Sequence, residues 1–185
     1  MLSQFTREAG HRSLSDLSFP FPKDVYPVGR LDLDSEGLLL LTNDTAVNQL
    51  LLNPERRHQR TYWVEVEGVP DDNAFLKLKT GVRVNLKGRV FMSLPASVKK
   101  ITAPAIPERI PQVNYKKHPI TSWLELTLTE GKNRQVRKMT AIVGHPTLRL
   151  IRYAMEGITL DGMSEGEVKE LKMKEFYSML RLGST

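Results

Sequence analysis

An acidic turn in the first quarter of the chain contains the residue types best suited to catalysis. Asp32 follows Gly29-Arg30-Leu31, and Asp34 and Glu36 come next before Gly37 and an apolar run. A carboxylate in a loop that leads into a buried strand is held rigidly, as a catalytic group must be. Such a group can act as a nucleophile or stabilise a developing positive charge. The pattern therefore indicates Asp32 as a candidate catalytic carboxylate.

Three acids at alternate positions are also compatible with other kinds of site. They suit a metal ion, or a glycosidase that uses Asp32 with Asp34 or Glu36. Against a metal, no nearby asparagine, histidine or glycine pattern completes a calcium or zinc site. A purely structural turn also stays open, because Asp and Ser stabilise turns by hydrogen bonding to their own backbone.

A second segment gathers positive charge at the predicted start of a helix. The cations are Lys132, Arg134, Arg137 and Lys138, followed closely by Arg149 and Arg152. Backbone donors at a helix N-terminus, together with such side chains, form a natural phosphate site. Arg134, Arg137 and Lys138 have the spacing i, i+3, i+4, which predicts that they share one side of the helix. The alternative is an ordinary solvated face.

Tyr62 and Trp63 are aromatic residues in a run of alternating character. Tyr62 has the parity of Val64 and Val66, so the pattern alone favours a core aromatic over an active-site group. Trp63 has the opposite parity, and it either stacks on a base or lies at the sheet surface.

Periodicity and turn residues predict the elements that hold these side chains. Strands are expected over 38–41, 62–67, 124–128 and 147–153, with short strands over 82–101 that turn at Asn85 to Gly88. Helices are expected over 45–52, from Asp71–Asp72 to Lys79, and from an Asn133 cap to about Val143. Prolines between 104 and 119 indicate a surface connection. The expected class is α+β, with a mixed, largely antiparallel sheet flanked by helices.

Composition limits the partners. Lys and Arg total 27 against 21 Asp and Glu, which gives a formal charge of +6 and a pI near 9.6. A basic surplus suits a polyanion such as RNA. The absence of cysteine excludes disulfides and thiolate chemistry. No run reaches the roughly 18 apolar residues of a membrane span. We expect a cytoplasmic, monomeric protein with no membrane partner and one domain over residues 1–185.

Three blocks of sequence carry a specific resemblance. They are Gly29-Arg30-Leu31-Asp32 with Ser35-Glu36-Gly37-Leu38-Leu39-Leu40-Leu41-Thr42-Asn43; Arg60-Thr61-Tyr62-Trp63-Val64-Glu65-Val66-Glu67-Gly68; and Glu130-Gly131-Lys132-Asn133-Arg134-Gln135-Val136-Arg137-Lys138-Met139 followed by Gly144-His145-Pro146-Thr147-Leu148-Arg149-Leu150-Ile151-Arg152-Tyr153-Ala154. In this order they resemble the bacterial rRNA pseudouridine synthases of the small-subunit synthase A and large-subunit synthase B, E and F family. The last block resembles the large-subunit synthase E branch.

The resemblance implies a pseudouridine synthase fold and an isomerase acting on ribosomal RNA, here large-subunit (23S) rRNA. It assigns Asp32 as the catalytic aspartate, Tyr62 as the tyrosine that stacks on the base, and Arg137 as the partner of the aspartate. Arg30 matches the arginine that fills the gap left by the flipped nucleotide. The reaction implies no cofactor and no metal, because it involves neither redox change nor hydrolysis. Attack on the sugar and deprotonation at C2′ both stay open for Asp32.

The chain also departs from the family pattern. The family usually carries an S4 RNA-binding domain, which is not expected here, and the synthase E branch also lacks it. The family's catalytic domain begins with an apolar strand that ends in Lys-Pro, whereas this sequence opens with Met1-Leu2-Ser3-Gln4. A non-catalytic rRNA-binding or ribosome-assembly factor with the same fold is the alternative function.

Overall fold

A computed structural model describes residues 1–8, 10–86 and 88–182 of the chain. The strands are β1 (Tyr26–Pro27), β2 (Glu36–Gly37), β3 (Leu41–Thr42), β4 (Arg60–Glu67), β5 (Arg83–Leu86), β6 (Arg89–Met92), β7 (Ser97–Ile101), β8 (Thr121–Leu128), β9 (Thr147–Met155) and β10 (Ile158–Thr159). The α-helices are α1 (Thr45–Leu52), α2 (Asp72–Thr80), α3 (Gln135–Ile142) and α4 (Met173–Met179), with 3₁₀ turns at Leu14–Asp16 and Pro54–Arg56.

One six-stranded sheet organises the fold. Its order is β10-β9-β4-β8-β7, and β2 also pairs with β9. The β2–β9 pairing is parallel and the others are antiparallel. Two small antiparallel pairs, β1–β3 and β5–β6, lie outside it. The predicted α+β class with a mixed, largely antiparallel sheet is confirmed.

Alternation in β4 and β8 produces the main hydrophobic cluster. Val64, Leu124 and Leu126 are fully buried, because every second side chain points to the same face of a strand. Leu78 of α2 and Met139 of α3 cover that face. Burial of this kind stabilises the fold by about 1.5–3 kcal/mol for each large side chain.

A second hydrophobic cluster joins parts of the chain that are far apart in sequence. Val28 and Leu40 pack with Leu51 of α1, Met155 at the end of β9 and Leu180 just beyond α4. This cluster fixes the segment before and after the acidic turn against the sheet.

Two expected elements differ from those observed. The run at 38–41 is not a continuous strand: β2 ends at Gly37 and β3 begins at Leu41, and Leu38 and Leu40 are buried between them. Asn133 does not cap α3. Arg134 holds the N-cap position in a left-handed conformation with φ of 52°, and its side chain makes no capping hydrogen bond.

Candidate active site

The loop that carries Asp32 is fastened at its N-terminal side by Ser3. The Ser3 hydroxyl accepts a hydrogen bond from the Leu31 amide at 2.9 Å and donates to the Leu31 carbonyl at 3.3 Å. The Ser35 amide donates to the Asp32 carbonyl at 2.9 Å, which closes a turn. The backbone of Asp32 is therefore held on both sides, as a reacting group requires.

The same loop is fastened at its C-terminal side by Gly37. Gly37 pairs with Arg152 of β9, and the Leu38 amide donates to the Arg152 carbonyl at 2.8 Å. The φ of Gly37 is +107°, in a region that glycine adopts without steric cost. A glycine is needed here because the two backbones approach so closely.

Tyr62 lies on the other side of Arg152. In the β4–β9 pairing Tyr62 is opposite Arg152, while Gly37 is opposite Arg152 from β2. Because neighbouring strands lie about 4.8 Å apart, the backbones of Gly37, at the end of the Asp32 loop, and Tyr62 are about two strand spacings apart. Tyr62 is half-buried and packs against the main hydrophobic cluster. The pattern-based prediction of a core aromatic is therefore correct in part.

Two arginines meet two aspartates at the rim of the loop. The Arg134 guanidinium donates to both carboxylate oxygens of Asp34, each at 2.8 Å. It also lies 3.7 Å from an oxygen of Asp32. Arg137 donates to the Asp34 carbonyl at 2.6 Å and lies 3.4 Å from its carboxylate. Asp34 is thus the carboxylate in direct contact with Arg137, and Arg134 is the cation nearest to Asp32. The pairing of Arg137 with Asp32 in the reacting enzyme stays a prediction.

These pairs set the charge of the rim. The hydrogen bond from Arg134 holds the pKa of Asp34 below its usual value, although partial burial opposes this shift. Burial lowers the pKa of Arg137, and the charge of Asp34 raises it. Arginine keeps its proton in such surroundings. The rim therefore presents two cations beside an ionised Asp34 at neutral pH.

Arg149 and Arg152 are not surface cations. Arg149 is 8% exposed and donates to Glu36 at 2.9 and 2.7 Å and to the Pro107 carbonyl at 2.9 Å. Arg152 is 4% exposed and donates through Nε to the Leu38 carbonyl at 2.7 Å. Because β9 is an inner strand and both side chains have partners inside the protein, their burial argues against the predicted contacts with RNA, which stay predictions.

Burial also leaves part of Arg152 without a partner. Its Nη2 nitrogen is buried and makes no hydrogen bond with the described residues. Burial lowers the pKa of Arg152, and the nearby Tyr62 phenol partly opposes that shift. Arg152 thus lies between the Asp32 loop and Tyr62 as a buried charge.

The remaining predicted RNA contacts lie on the surface. Arg30 is exposed and makes no ion pair with the residues that the structure describes. Lys138 is partly exposed and donates to the Asn85 carbonyl at 3.2 Å. Lys132 is exposed, pairs with Glu130 and lies 4.3 Å from the centroid of the Phe91 ring.

Trp63 has a partner within the protein. Its ring stacks on Tyr153, with centroids 4.1 Å apart and planes inclined by 15°. Trp63 thus lies half-buried with one ring face covered by Tyr153, and its stacking on a base stays a prediction.

Two site residues were not singled out from the sequence. Glu130 is 5% exposed and accepts hydrogen bonds from the Leu94 amide at 2.8 Å and from the Gln135 side chain at 2.5 Å. It thereby fixes the start of α3. Arg109, in the connection between β7 and β8, donates to the Leu148 carbonyl at 3.3 Å and faces Arg134 and Arg137 across a cavity. Nothing in the local sequence around Arg109 indicates this position.

Among the described residues, no group of histidine and acidic side chains is arranged to hold a metal ion. No helix in the described ranges is long and apolar enough to cross a bilayer.

Comparison with a family model decides the family. The model described as RNA pseudouridylate synthase matches residues 4–141, which include Asp32, Tyr62 and Arg137. The chain belongs to the RNA pseudouridylate synthase family.

Named pseudouridine synthases are similar over most of the chain. A ribosomal large subunit pseudouridine synthase E from Vibrio parahaemolyticus is 47% identical over 172 residues, covering 93% of this chain and 70% of the relative. One from Xanthomonas axonopodis is 44% identical, covering 89% of this chain and 85% of the relative. A ribosomal large subunit pseudouridine synthase B from Bacillus subtilis is 34% identical, covering 95% and 65%.

Two solved structures share the fold. A crystal structure described as pseudouridylate synthase matches with a TM-score of 0.68 and 25% identity, over 87% of this chain and 63% of that one. A Cbf5–Nop10–Gar1 complex matches with a TM-score of 0.52 and 15% identity, over 75% of this chain and 42% of that one. The second likeness concerns the fold alone. The predicted family and pseudouridine synthase fold are confirmed.

Proposed function

We propose that this pseudouridylate synthase isomerises a specific uridine of large-subunit (23S) ribosomal RNA to pseudouridine, with Asp32 as the essential carboxylate. The relatives named large-subunit synthase E support the substrate class. The observation that carries the assignment of Asp32 is its placement: it is partly exposed, at 32%, on a loop fastened by Ser3 and by Gly37.

The reaction requires a carboxylate placed beside the sugar. The N1–C1′ bond breaks, the uracil rotates, a C5–C1′ bond forms, the proton on C5 is released, and N1 takes up a proton, so the product is an isomer of the substrate. Positive charge develops at C1′, and an ionised carboxylate stabilises it or attacks it. Arg134 and Arg137 are occupied mainly by Asp34, so Asp32 is the carboxylate of the rim with the weaker arginine contact. This favours Asp32 over Asp34 as the reacting group.

Tyr62 is proposed to contact the flipped uracil and to take part in removing the proton from C5. It is half-buried, on the strand next to Arg152 and two strands from the Asp32 loop. A phenol in that position offers one face to an unstacked base, while its other contacts lie in the core. Arg137 is proposed to act through Asp34, by positioning the rim that holds Asp32.

RNA binding is proposed to use the exposed cations. Arg30 lies two residues before Asp32, and Lys132, Arg134 and Lys138 surround the start of α3. Extruding a base costs a few kcal/mol, and phosphate contacts of this kind offset that cost. Arg30 is also suitably placed to occupy the gap left by the flipped nucleotide. We propose the cytoplasm as the place of action and a monomer as the active form.

The second candidate is an rRNA-binding or assembly factor without catalysis. The exposed cations favour RNA binding in either case, so only turnover separates the two functions. The test is to incubate an unmodified large-subunit rRNA transcript with the protein and to map pseudouridine by carbodiimide treatment and primer extension. A single new stop at a uridine supports the isomerase. Binding without any new stop supports the assembly factor.

A further inference from the structure

A cavity lies beside the candidate active site and is bordered by Arg134 and Arg137. Its volume is about 510 Å³, and its charged lining consists of Arg109, Arg134, Arg137 and Asp34, with His118 at its wall. Asp32 is not among its lining residues. The volume lies within the range of about 300–1,000 Å³ that is typical of ligand sites.

Two arginines of this cavity have N–H donors without a hydrogen-bond partner among the described residues. The Nε nitrogens of Arg109 and Arg137 are buried and make no hydrogen bond with the described residues. Arg109 contributes one contact, from Nη1 to the Leu148 carbonyl. These two Nε nitrogens lie below the cavity surface, so an anionic ligand would compensate the buried guanidinium groups through their charge and their other N–H groups.

Asp34 occupies the place of an anion at the mouth of the cavity. Its carboxylate faces the Arg134 guanidinium in the two-pronged geometry that a phosphate also adopts. Both side chains are about two-fifths exposed, so solvent weakens the pair and an incoming anion can exchange with Asp34. The pair of Glu67 with His118, 3.0 Å apart, supplies the other titratable groups on this side.

We propose that this cavity binds a backbone phosphate of the RNA strand next to the target uridine, and that the phosphate replaces Asp34 on Arg134. This inference rests on the proposed function, because the RNA strand that presents a uridine to Asp32 also carries phosphates past Arg134. Arg109 is then a binding residue for RNA, and Asp34 is a placeholder for the phosphate in the free protein.

The experiment measures affinity for a short fluorescent oligouridylate as a function of salt concentration. Arg109→Gln should lower the affinity about tenfold, the effect of one lost charge-assisted hydrogen bond. It should also reduce the salt slope by about 0.7, the value for one single-strand phosphate contact. Arg109→Lys should keep most of the slope, because it keeps the charge. Lys77→Gln is the control, because it also removes one positive charge. Lys77 is exposed on α2, which packs against the edge strand β7, so this variant should change neither the affinity nor the salt slope.

A second variant, Asp34→Asn, separates a specific loss of RNA binding from a general loss of folding. It frees Arg134 for the phosphate, so affinity should rise about threefold, in the direction opposite to that of a damaged protein. Equal slopes for wild type and Arg109→Gln, or weaker binding by Asp34→Asn, would overturn the proposal. Tritium release by the wild type from rRNA labelled at uridine C5, which reports turnover, is measured in parallel. If the wild type releases tritium but Arg109→Gln leaves RNA binding unchanged, the proposed function stands and the proposed phosphate site is wrong. If the wild type releases no tritium but Arg109→Gln weakens binding as expected, the phosphate site stands and the proposed function is wrong.

Discussion

A Cβ atom at position 37 would lie 2.4 Å from the carbonyl oxygen of Arg152, closer than real Cβ contacts come. Gly37 also has a φ of +107°, so a side chain would be strained there in any case. Gly37→Ala should therefore separate β2 from β9 and lower the free energy of unfolding by about 2–3 kcal/mol, with a large loss of activity. Urea denaturation and turnover measure both effects.

Gly144→Ala is the matched control for that variant. Gly144 has a similar φ of +91°, but a Cβ atom there would meet nothing within 4 Å. It should cost about 1 kcal/mol through backbone strain alone and leave activity nearly unchanged. Equal losses for the two variants would mean that the contact with Arg152 does not fasten the loop.

Replacing Arg149 should affect stability and not RNA binding. Arg149→Gln breaks the two-pronged pair with Glu36 and the contact to the Pro107 carbonyl. Because the guanidinium is buried and Glu36 is about one-third exposed, the expected cost is about 2 kcal/mol. The midpoint of urea denaturation should fall, while the salt slope of RNA binding stays constant. A lower salt slope of RNA binding for Arg149→Gln, with an unchanged free energy of unfolding, would show that Arg149 contacts RNA.

Replacing Arg30 should have the opposite effect. Arg30 is exposed, and none of the described residues forms an ion pair with it. Arg30→Gln should leave the unfolding free energy within about 0.5 kcal/mol of wild type and reduce the RNA salt slope by about 0.7. The same titrations as for Arg149→Gln supply the comparison. An unchanged slope would place Arg30 outside the RNA interface.

The buried carboxylate of Glu130 should make the free energy of unfolding depend on pH in the acidic range. Burial raises its pKa, but hydrogen bonds from Lys132, the Leu94 amide and Gln135 outweigh burial and hold it below its ordinary value of 4.5. A depressed pKa stabilises the fold above the unfolded-state pKa, and this contribution disappears as the pH falls through the folded-state pKa. Wild type should exceed Glu130→Gln by about 1–3 kcal/mol at neutral pH.

The acid dependence of that difference provides the check. The free energies of unfolding of wild type and Glu130→Gln should converge as the pH falls below about 4.5. The urea midpoints of both proteins from neutral to acidic pH show this directly. A constant difference across that range would mean that the charge of Glu130 is not what stabilises the start of α3.

Local patterns predicted much of the fold. The helix at Thr45–Leu52 was predicted with the bounds that are observed, and α2 was predicted from the Asp71–Asp72 pair to Lys79 and is observed over Asp72–Thr80 with Asp71 as its cap. The strands β4 and β8 followed from alternation. These features depend on neighbouring residues, whose caps and periodicity are visible in the sequence.

The partners within the site could not be predicted in the same way. Asp34 and Arg134 are 100 residues apart, and so their pairing depends on how the acidic turn docks beside α3. The family resemblance placed Arg137 beside Asp32, whereas spacing alone predicted only that Arg137 shares a helix face with Arg134 and Lys138. Arg149 and Arg152 were predicted to bind RNA because they follow the basic segment closely in sequence, and sequence proximity does not show what covers a side chain. The role of Arg109 depends on the path of a long connection, for which no local rule exists.

The assignment of Asp32 is tested most directly by tritium release from large-subunit rRNA labelled at uridine C5. Asp32→Asn is compared with wild type and with Asp72→Asn, an exposed aspartate on α2. Asp32 is partly exposed and its nearest cation is 3.7 Å away, so its replacement should change stability by less than about 1 kcal/mol. We expect wild type and Asp72→Asn to release tritium and a folded Asp32→Asn to release none. Release by a folded Asp32→Asn at the wild-type rate would contradict the role of Asp32 as the catalytic carboxylate.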